Sequence, residues 1–475
     1  MAGASGGRPG ERTPSFTFFQ AFQVFEPFGH LSHFLEEAVV FRHTSEFHDW
    51  FAERRRTRGH RVTPTRLDRL DGWSFHPETG NLEHRSGRFF TVEGLEVDTD
   101  NREVGRWAQP IIVQPEAGIL GILVREFGGV PHFLLQAKME PGNVNLLQLS
   151  PTVQATRSNF TRVHRGNPVP YLEHFLAPRR GRIVFDALQS EQGSWFLRKR
   201  NRNMIVEVTE DVPLLDGFCW LTLEQIGELL RVDNLVNMDT RSVLSGLPGS
   251  WGGTSGRAGA EDRGLHRMAE LLSWFTEAKA AHRLRRRRLP LNGVKGWSGS
   301  GDRVEHEDGR YFSVIGVDVE AEGREVARWS QPMLAPASRG VIAFLTRTID
   351  GLRHLLVRAR TEAGCLDVVE MGPTVQCAPD NYRHLPRERR PRFLDEVLGA
   401  APARVLLDVV HSEEGGRFYH AENRYLVVEA GEDVPLDAGG DFVWMTPEQL
   451  GALARYGNHV NVEARSLLTC LRFLR

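Results

Sequence analysis

Arg106-Trp-Ala-Gln-Pro110 returns 222 residues later as Arg328-Trp-Ser-Gln-Pro332, and sliding the chain by that distance lays His84–Pro213 without a gap over His306–Pro435, with 45 of 130 residues identical. A period that long is a whole domain, well beyond the roughly 20–50 residues of a solenoid unit, so the chain is a tandem duplication. The two copies can be compared like two relatives. Residues kept in both are candidates for a shared framework or a shared pocket.

Outward from that pair, each copy carries short β-branched or aromatic runs bounded by Gly. In the first copy these are Arg88–Val92, Ile119–Val124, His132–Gln136, Ile183–Phe185 and Met204–Val208. The second repeats them at Tyr311–Val314, Val341–Leu345, His354–Val357, Val405–Leu407 and Tyr425–Glu429. A helical pattern precedes each set, at about Leu31–Arg56 with Trp50 and Phe51, and at about Leu271–Leu284 with Trp274 and Phe275. Another follows Thr222-Leu-Glu-Gln and Thr446-Pro-Glu-Gln, where Thr suits a helix start. Each copy is therefore an α+β module with a mixed sheet flanked by helices. Leu247–Ala260 is rich in Gly and Ser and reads as a linker. The expected division is an N-terminal extension over 1–28, a first repeat over 29–246, a linker over 247–262 and a second repeat over 263–475.

Composition excludes several classes. A net charge of −2 offers no excess to hold a polyanion, which argues against nucleic acid. Cys219, Cys365, Cys377 and Cys470 are scattered without a CxxC pair, which argues against a zinc site or a disulfide framework and reads as a reducing cytoplasm. No signal pattern and no apolar run of about 18 residues occurs, so a membrane is not expected. Gly-x-Gly-x-x-Gly, the phosphate loop, the Gly-x-Ser-x-Gly elbow and His-Glu-x-x-His are all missing.

Three shared blocks carry possible chemistry. Pro151-Thr-Val-Gln154 with Asn159 matches Pro373-Thr-Val-Gln376 with Asn381 and suits a rigid segment aiming an amide, or a plain structural turn. Just upstream, Glu140-Pro-Gly-Asn143 matches Glu362-Ala-Gly-Cys365: the Gly permits close approach to a ligand, and Glu140 is a candidate base or a solvated loop carboxylate. Ser190-Glu-Gln-Gly193 with Phe196, Asn201 and Arg202 matches Ser412-Glu-Glu-Gly415 with Phe418, Asn423 and Arg424; identity at polar positions favours binding over a drifting surface. Arg198, Lys199, Arg200 and Arg202 form a cationic cluster suited to a diphosphate, or an ordinary basic strand. In the opening motif, Arg106 with Trp107, and Arg328 with Trp329, suit phosphate binding and base stacking, or a core anchor.

At these blocks the chain resembles the NDP-hexose 2,3-dehydratases of deoxysugar biosynthesis. The likeness is carried by Glu140-Pro-Gly-Asn143, Pro151-Thr-Val-Gln-Ala-Thr-Arg-Ser-Asn159, Ser190-Glu-Gln-Gly-Ser-Trp-Phe196 and Gly415-Gly-Arg-Phe-Tyr-His-Ala-Glu-Asn-Arg424, and it spans nearly the whole chain. The resemblance implies two fused Nudix-like domains, a homodimer, no cofactor, and two sugar-nucleotide pockets, one of them open to being a non-catalytic relic. The Nudix box of magnesium-binding glutamates is missing from both copies, which argues against diphosphate hydrolysis. The substrate implied is a dTDP-4-keto-6-deoxy-hexose, losing its C2 hydroxyl to give a 3,4-diketo-2,6-dideoxy sugar that a separate 3-ketoreductase would capture.

Within that resemblance Glu140 or Glu191 is the expected base, and Lys138, one of four lysines, the expected partner of an enolate or phosphate. Expected substrate contacts are Arg106, Trp107, Asn143, Thr152, Gln154, Ser158, Asn159, Ser190, Gln192, Gly193, Trp195, Arg200 and Arg202 in the first copy. In the second they are Arg328, Trp329, Thr374, Gln376, Asn381, Ser412, Glu413, Gly415, Tyr419 and Arg424. The first copy is favoured for the chemistry, although the second has titratable Glu370, Tyr382, His411, Glu414 and Tyr419 where the first has Gln148, Phe160, Gln189, Gln192 and Leu197. Two rivals remain: a magnesium-dependent sugar-nucleotide hydrolase and a non-catalytic sugar-nucleotide binder.

Overall fold

A computed structural model describes residues 40–57, 59–100, 104–156, 168–177, 180–251, 262–322 and 326–474. The aromatic stretch Phe16–Phe28, most of the linker, and Ser158 and Asn159 lie outside the described residues. The helix Thr44–Thr57 buries Phe47 and Phe51, and its counterpart Met268–Ala281 buries Leu271 and Phe275; of the expected aromatic pairs Phe51 and Phe275 are buried, while Trp50 and Trp274 pack against the same core only partly buried. Each such ring removed from water stabilises by roughly 2 kcal/mol. The later helices Leu223–Leu229 and Pro447–Ala454 both begin with capping boxes, Thr222 with Gln225 and Thr446 with Gln449.

The architecture is α+β and duplicated. The first copy forms a seven-stranded mixed sheet in the order Arg182–Ser190, Arg200–Glu207, Ile119–Phe127, Val130–Met139, Phe218–Thr222, with Leu147–Pro151 and Val153–Ala155 paired at its side. The parallel pairing joins Arg200–Glu207 to Ile119–Phe127. The second copy repeats this with Val405–Ser412, Glu422–Glu429, Gly340–Ile349 and Leu352–Arg360, again parallel at Gly340–Ile349. All the expected strands fall in these sheets except Arg88–Val92 and Tyr311–Val314. Those two only overlap longer strands, Thr91–Thr99 and Phe312–Ala321, in a second pair of sheets, with Arg88–Phe90 and Tyr311 lying before the strands begin.

That second pair exchanges strands between the copies. His60–Thr65 of the first copy pairs antiparallel with Phe312–Ala321 of the second, and Leu284–Leu289 of the second pairs with Thr91–Thr99 of the first. The exchanged edge is held by charge: Arg288 grips Glu93, and Arg287 grips Glu96 at 2.8 Å. Two indoles cross in the same reciprocal way, Trp73 Nε1 donating to Ser330 O at 2.9 Å and Trp297 Nε1 to Ala108 O at 3.0 Å.

A buried polar seam joins the copies. The short helix Met238–Leu244 places Arg241, fully buried, so that it donates to Ser412 O at 2.8 Å; Val462–Leu471 places Arg465 so that it donates to Ser190 O at 2.6 Å. Buried guanidinium groups need such acceptors, since an unmet one costs several kcal/mol.

Candidate active site

Two cavities open where the exchanged sheets meet the seven-stranded ones, and each is built from both copies. The first, about 410 Å³, takes Trp73, His84, Phe89, Lys138, Glu140, Gln154, Glu191, Lys199, Asn201 and Asp239 from the first copy. From the second it takes Arg328, Trp329, Gln331, Glu414 and Arg417. The second cavity, about 710 Å³, takes Arg106, Trp107, Gln192 and Trp195 from the first copy. Arg360, Glu362, Gln376, Asn381, Glu413, Asn423 and Glu463 complete it. The Arg-Trp pair of each copy therefore serves the cavity of the other.

The shared motifs acquire definite jobs. Thr152 Oγ1 accepts from Leu123 N at 2.9 Å and donates to Leu134 O, pegging two strands together, and Thr374 does the same with Leu345 N and Leu356 O. Two residues on, Gln154 Nε2 donates to Glu140 Oε1 at 2.6 Å and Gln376 Nε2 to Glu362 Oε1 at 2.9 Å. In Arg-Trp-x-Gln-Pro the glutamine is a relay. Trp329 Nε1 donates to Gln331 Oε1 at 2.8 Å, and Gln331 Nε2 donates to Gly416 O at 2.7 Å, locking the loop that carries Glu414.

The first cavity has an aromatic end and a carboxyl end. Trp73 stands edge-on to His84 at 5.3 Å and tilted against Phe90 at 4.8 Å, with Trp329 in the same wall. At the other end Glu140 is buried and cradled by amides: besides Gln154, Asn143 Nδ2 and Asn237 Nδ2 donate to its Oε2 at 3.3 and 3.2 Å. Glu191 accepts from Asn201 Nδ2 at 2.8 Å on one oxygen. Its other oxygen, Asp239 Oδ1 and Glu414 Oε2 are buried without a hydrogen-bond partner among the described residues. Lys138 Nζ donates to Gln154 O at 2.8 Å.

Those environments shift protons. Burial pushes the Glu191 carboxyl up, against the pull of Arg465 and Lys199. Burial, then the nearby Glu191, Glu140 and Glu414, pushes Asp239 well up. Burial, opposed by Arg417 and reinforced by Glu140 and Glu191, pushes Glu414 up to about 7. Burial also pulls the Lys199 ammonium down. Carboxyls packed together in a cavity with their proton affinity raised are suited to acid and base work.

The second cavity is chemically quieter. At corresponding positions Arg360 replaces Lys138 and Ala421 replaces Lys199. Glu413 has both oxygens occupied, by Asn423 Nδ2 at 2.6 Å and Tyr425 Oη at 2.7 Å on one and Gln192 Nε2 at 2.9 Å on the other. Glu362 accepts from Ser194 Oγ at 2.8 Å and faces Arg360 Nε at 3.3 Å. Glu463 keeps a buried oxygen without a hydrogen-bond partner among the described residues, and burial pushes its carboxyl well up.

Of the expected contacts, Lys138, Glu140, Gln154, Glu191, Arg328 and Trp329 meet in the first cavity. Arg106, Trp107, Gln192, Trp195, Gln376, Asn381 and Glu413 line the second. Asn143 acts behind Glu140. Ser190 and Ser412 turn instead into the seam between the copies, where Ser190 Oγ donates to Glu370 Oε2 at 2.7 Å and Gln148 Nε2 donates to Ser412 Oγ at 2.8 Å. Arg202 and Arg424 pair with Asp186 and Asp408 on the strand surface, Arg200 lies half-buried on the same strand as Arg202, and Tyr419 stacks on His420 at 3.9 Å.

The glycine of each Glu-x-Gly block approaches backbone rather than ligand. Gly142 N donates to Gly415 O at 2.7 Å and Gly364 N to Gly193 O at 2.6 Å; a Cβ would stand 1.7 Å from Phe418 O or 1.6 Å from Phe196 O. Asp239, Trp73, His84 and Arg417 were not singled out from the sequence. Asp239 lies beyond the aligned repeat, and its match to Glu463 shows only once Asn237 and Asn461 are aligned as helix caps.

A family model described as NDP-hexose 2,3-dehydratase matches residues 44–247 and again 268–471. A dTDP-4-dehydro-6-deoxy-alpha-D-glucopyranose 2,3-dehydratase of Streptomyces violaceoruber is 58% identical over 91% of this chain and 97% of its own length. Proteins of the same description from Amycolatopsis orientalis and Saccharopolyspora spinosa are 52% and 51% identical, over 90% and 91% of this chain and 90% and 92% of theirs. With both copies matched and such relatives aligned nearly end to end, the chain belongs to the NDP-hexose 2,3-dehydratase family.

Proposed function

We propose that this protein is a hydro-lyase that removes the C2 hydroxyl of a dTDP-4-keto-6-deoxy-hexose as water, and that the first cavity does the chemistry. Family membership and 58% identity to a curated 2,3-dehydratase carry the activity. The choice of cavity rests on one observation: Glu191, Asp239 and Glu414, each with a buried carboxyl oxygen lacking a hydrogen-bond partner among the described residues, line the same cavity as Lys138 and Lys199.

The C4 ketone makes the C3 proton acidic. Glu140 or Glu191 takes that proton, the electron pair moves toward the C4 oxygen, and a cation such as Lys138 stabilises the enolate. The enolate then expels the C2 oxygen as water once an acid protonates it, and the enol left behind ketonises to the 3,4-diketo sugar. No external oxidant or reductant enters this balance. The aromatic end at Trp73, Phe89 and Trp329 suits a nucleotide base, with Arg328 beside it for phosphate. The diketo product is labile, so a 3-ketoreductase acts next; we place both steps in the cytoplasm, with this enzyme working as a homodimer.

Incubation with dTDP-4-keto-6-deoxyglucose and mass spectrometry tests the reading. The expected product has lost one water with the nucleotide still attached. Release of a nucleoside monophosphate that stops with EDTA would establish the hydrolase instead, and binding without turnover the non-catalytic sugar-nucleotide binder.

A further inference from the structure

We infer that Glu414, delivered into the first cavity by the second copy, is the acid that protonates the departing C2 hydroxyl. The inference rests on the reading that the first cavity is catalytic, and the comparison of the two cavities carries it. Glu140, Glu191 and Asp239 have carboxyl counterparts in the second cavity, namely Glu362, Glu413 and Glu463. Glu414 has none. Its counterpart is Gln192, whose amide donates to Glu413 Oε2 at 2.9 Å and cannot supply a proton to a leaving oxygen. If one cavity works and the other does not, Glu414 is the buried carboxyl that distinguishes them; Asp71, which also lines the first cavity and matches Lys295, is exposed.

Its geometry suits an acid. The loop is fixed from three sides: Gly416 N donates to Glu414 Oε1 at 3.2 Å, Phe418 N donates to Glu414 O at 3.1 Å, and Gln331 Nε2 holds Gly416 O at 2.7 Å. That leaves Glu414 Oε2 without a hydrogen-bond partner among the described residues, in the cavity wall. The adjacent Arg417 is engaged elsewhere, donating to Gln114 Oε1 at 3.2 Å and Gly416 O at 2.7 Å with its guanidinium 4.4 Å from the Phe90 ring centre. Burial and the negative neighbours Glu140 and Glu191 keep a proton on this group near neutrality. In the step itself the Glu414 O–H bond breaks as the proton joins the C2 oxygen, the C2–O bond breaks with its electrons leaving on water, and the enolate pair forms the C2–C3 double bond. Glu414 is left as a carboxylate, and the proton taken from C3 by the base restores the count.

The test separates the two halves of the reaction. Wild type, Glu414→Gln and Glu191→Gln are incubated with dTDP-4-keto-6-deoxyglucose in deuterated water, and the nucleotide sugars are analysed by NMR for deuterium at C3 and loss of the C2 oxygen. Glu414→Gln, which copies Gln192, is expected to keep thymidine diphosphate affinity and C3 exchange in recovered substrate while product formation falls by about 10²–10⁴-fold. Glu414→Asp is expected to recover part of that loss. Product formation within tenfold of wild type in Glu414→Gln, or loss of exchange together with elimination in a variant that still binds nucleotide, would overturn the assignment. Failure of the wild type to eliminate water would instead strike the proposed function.

Discussion

Replacing Glu370 by Gln should stabilise the protein above neutral pH and change nothing near pH 4. Glu370 lies in the seam between the copies, 2% exposed, with Oε2 receiving the Ser190 hydroxyl at 2.7 Å and Oε1 lacking a hydrogen-bond partner among the described residues. Burial pushes its carboxyl from an ordinary 4.5 up to about 7; Ser190 and Arg465 pull the other way, and Glu362 adds to the rise. A carboxyl raised in the folded state contributes stability that is complete below the unfolded value of 4.5. That contribution is lost as pH climbs through 7. The interval is about 2.5 pH units, and at about 1.4 kcal/mol for each the loss comes to about 3.5 kcal/mol. An amide removes the titration, and the opposite half of the seam shows that an amide fits: at the equivalent position Gln148 Nε2 donates to Ser412 Oγ at 2.8 Å. Urea unfolding of both proteins at pH 4.5 and pH 8 measures the difference. Equal stability at pH 8, or the same offset at both pH values, would refute the electrostatic reasoning.

Glu140→Gln should bind thymidine diphosphate normally but lose at least about 10²-fold in turnover and lose C3 exchange in deuterated water; unchanged turnover would move the chemistry away from the amide-cradled carboxylate. Gly364→Ala places a methyl 1.6 Å from Phe196 O and should cost about 2 kcal/mol or more, lowering the melting temperature. Gly451→Ala, in the helix Pro447–Ala454 with open space around it, should raise the melting temperature slightly, since Ala is favoured over Gly there by about 0.5–1 kcal/mol. Residues 40–247 expressed alone lack Leu284–Leu289, so size-exclusion chromatography should find that fragment aggregated, and a soluble monomer would show the strand exchange to be dispensable.

The duplicated α+β design was legible because its strands are apolar and local. The exchanged strands were not. His-Arg-Val-Thr-Pro-Thr65 and Leu-Arg-Arg-Arg-Arg-Leu289 are edge strands whose burial alternates and whose polar faces meet water, so neither has the apolar signature of a strand, and their partners lie more than 180 residues away. Persistence between the copies pointed to blocks that line the cavities but could not sort pocket from seam. Ser190 and Ser412 persist because their hydroxyls are bound into the seam, Ser190 Oγ donating to Glu370 and Ser412 Oγ accepting from Gln148 and donating to Asn234, and Thr152 and Thr374 persist because each pegs two strands. Both constraints preserve a residue as firmly as substrate contact would.

The arrangement of the two loops also explains how one cavity could change without the other. In Ser190-Glu-Gln-Gly193, Glu191 faces the first cavity while Gln192 faces the second; in Ser412-Glu-Glu-Gly415, Glu413 faces the second while Glu414 faces the first. Neighbouring residues on one loop therefore serve different sites. A single exchange of amide for carboxyl at the third position of a block alters the chemistry of the opposite copy's cavity and leaves its own copy's carboxyl in place. Charge is consistent with that division: the Gln192 amide satisfies Glu413 in the second cavity, whereas Glu414 crowds Glu140, Glu191 and Asp239 in the first and raises the proton affinity of Asp239. The asymmetry between the cavities thus depends on both copies, and a chain with one copy alone would hold neither site complete.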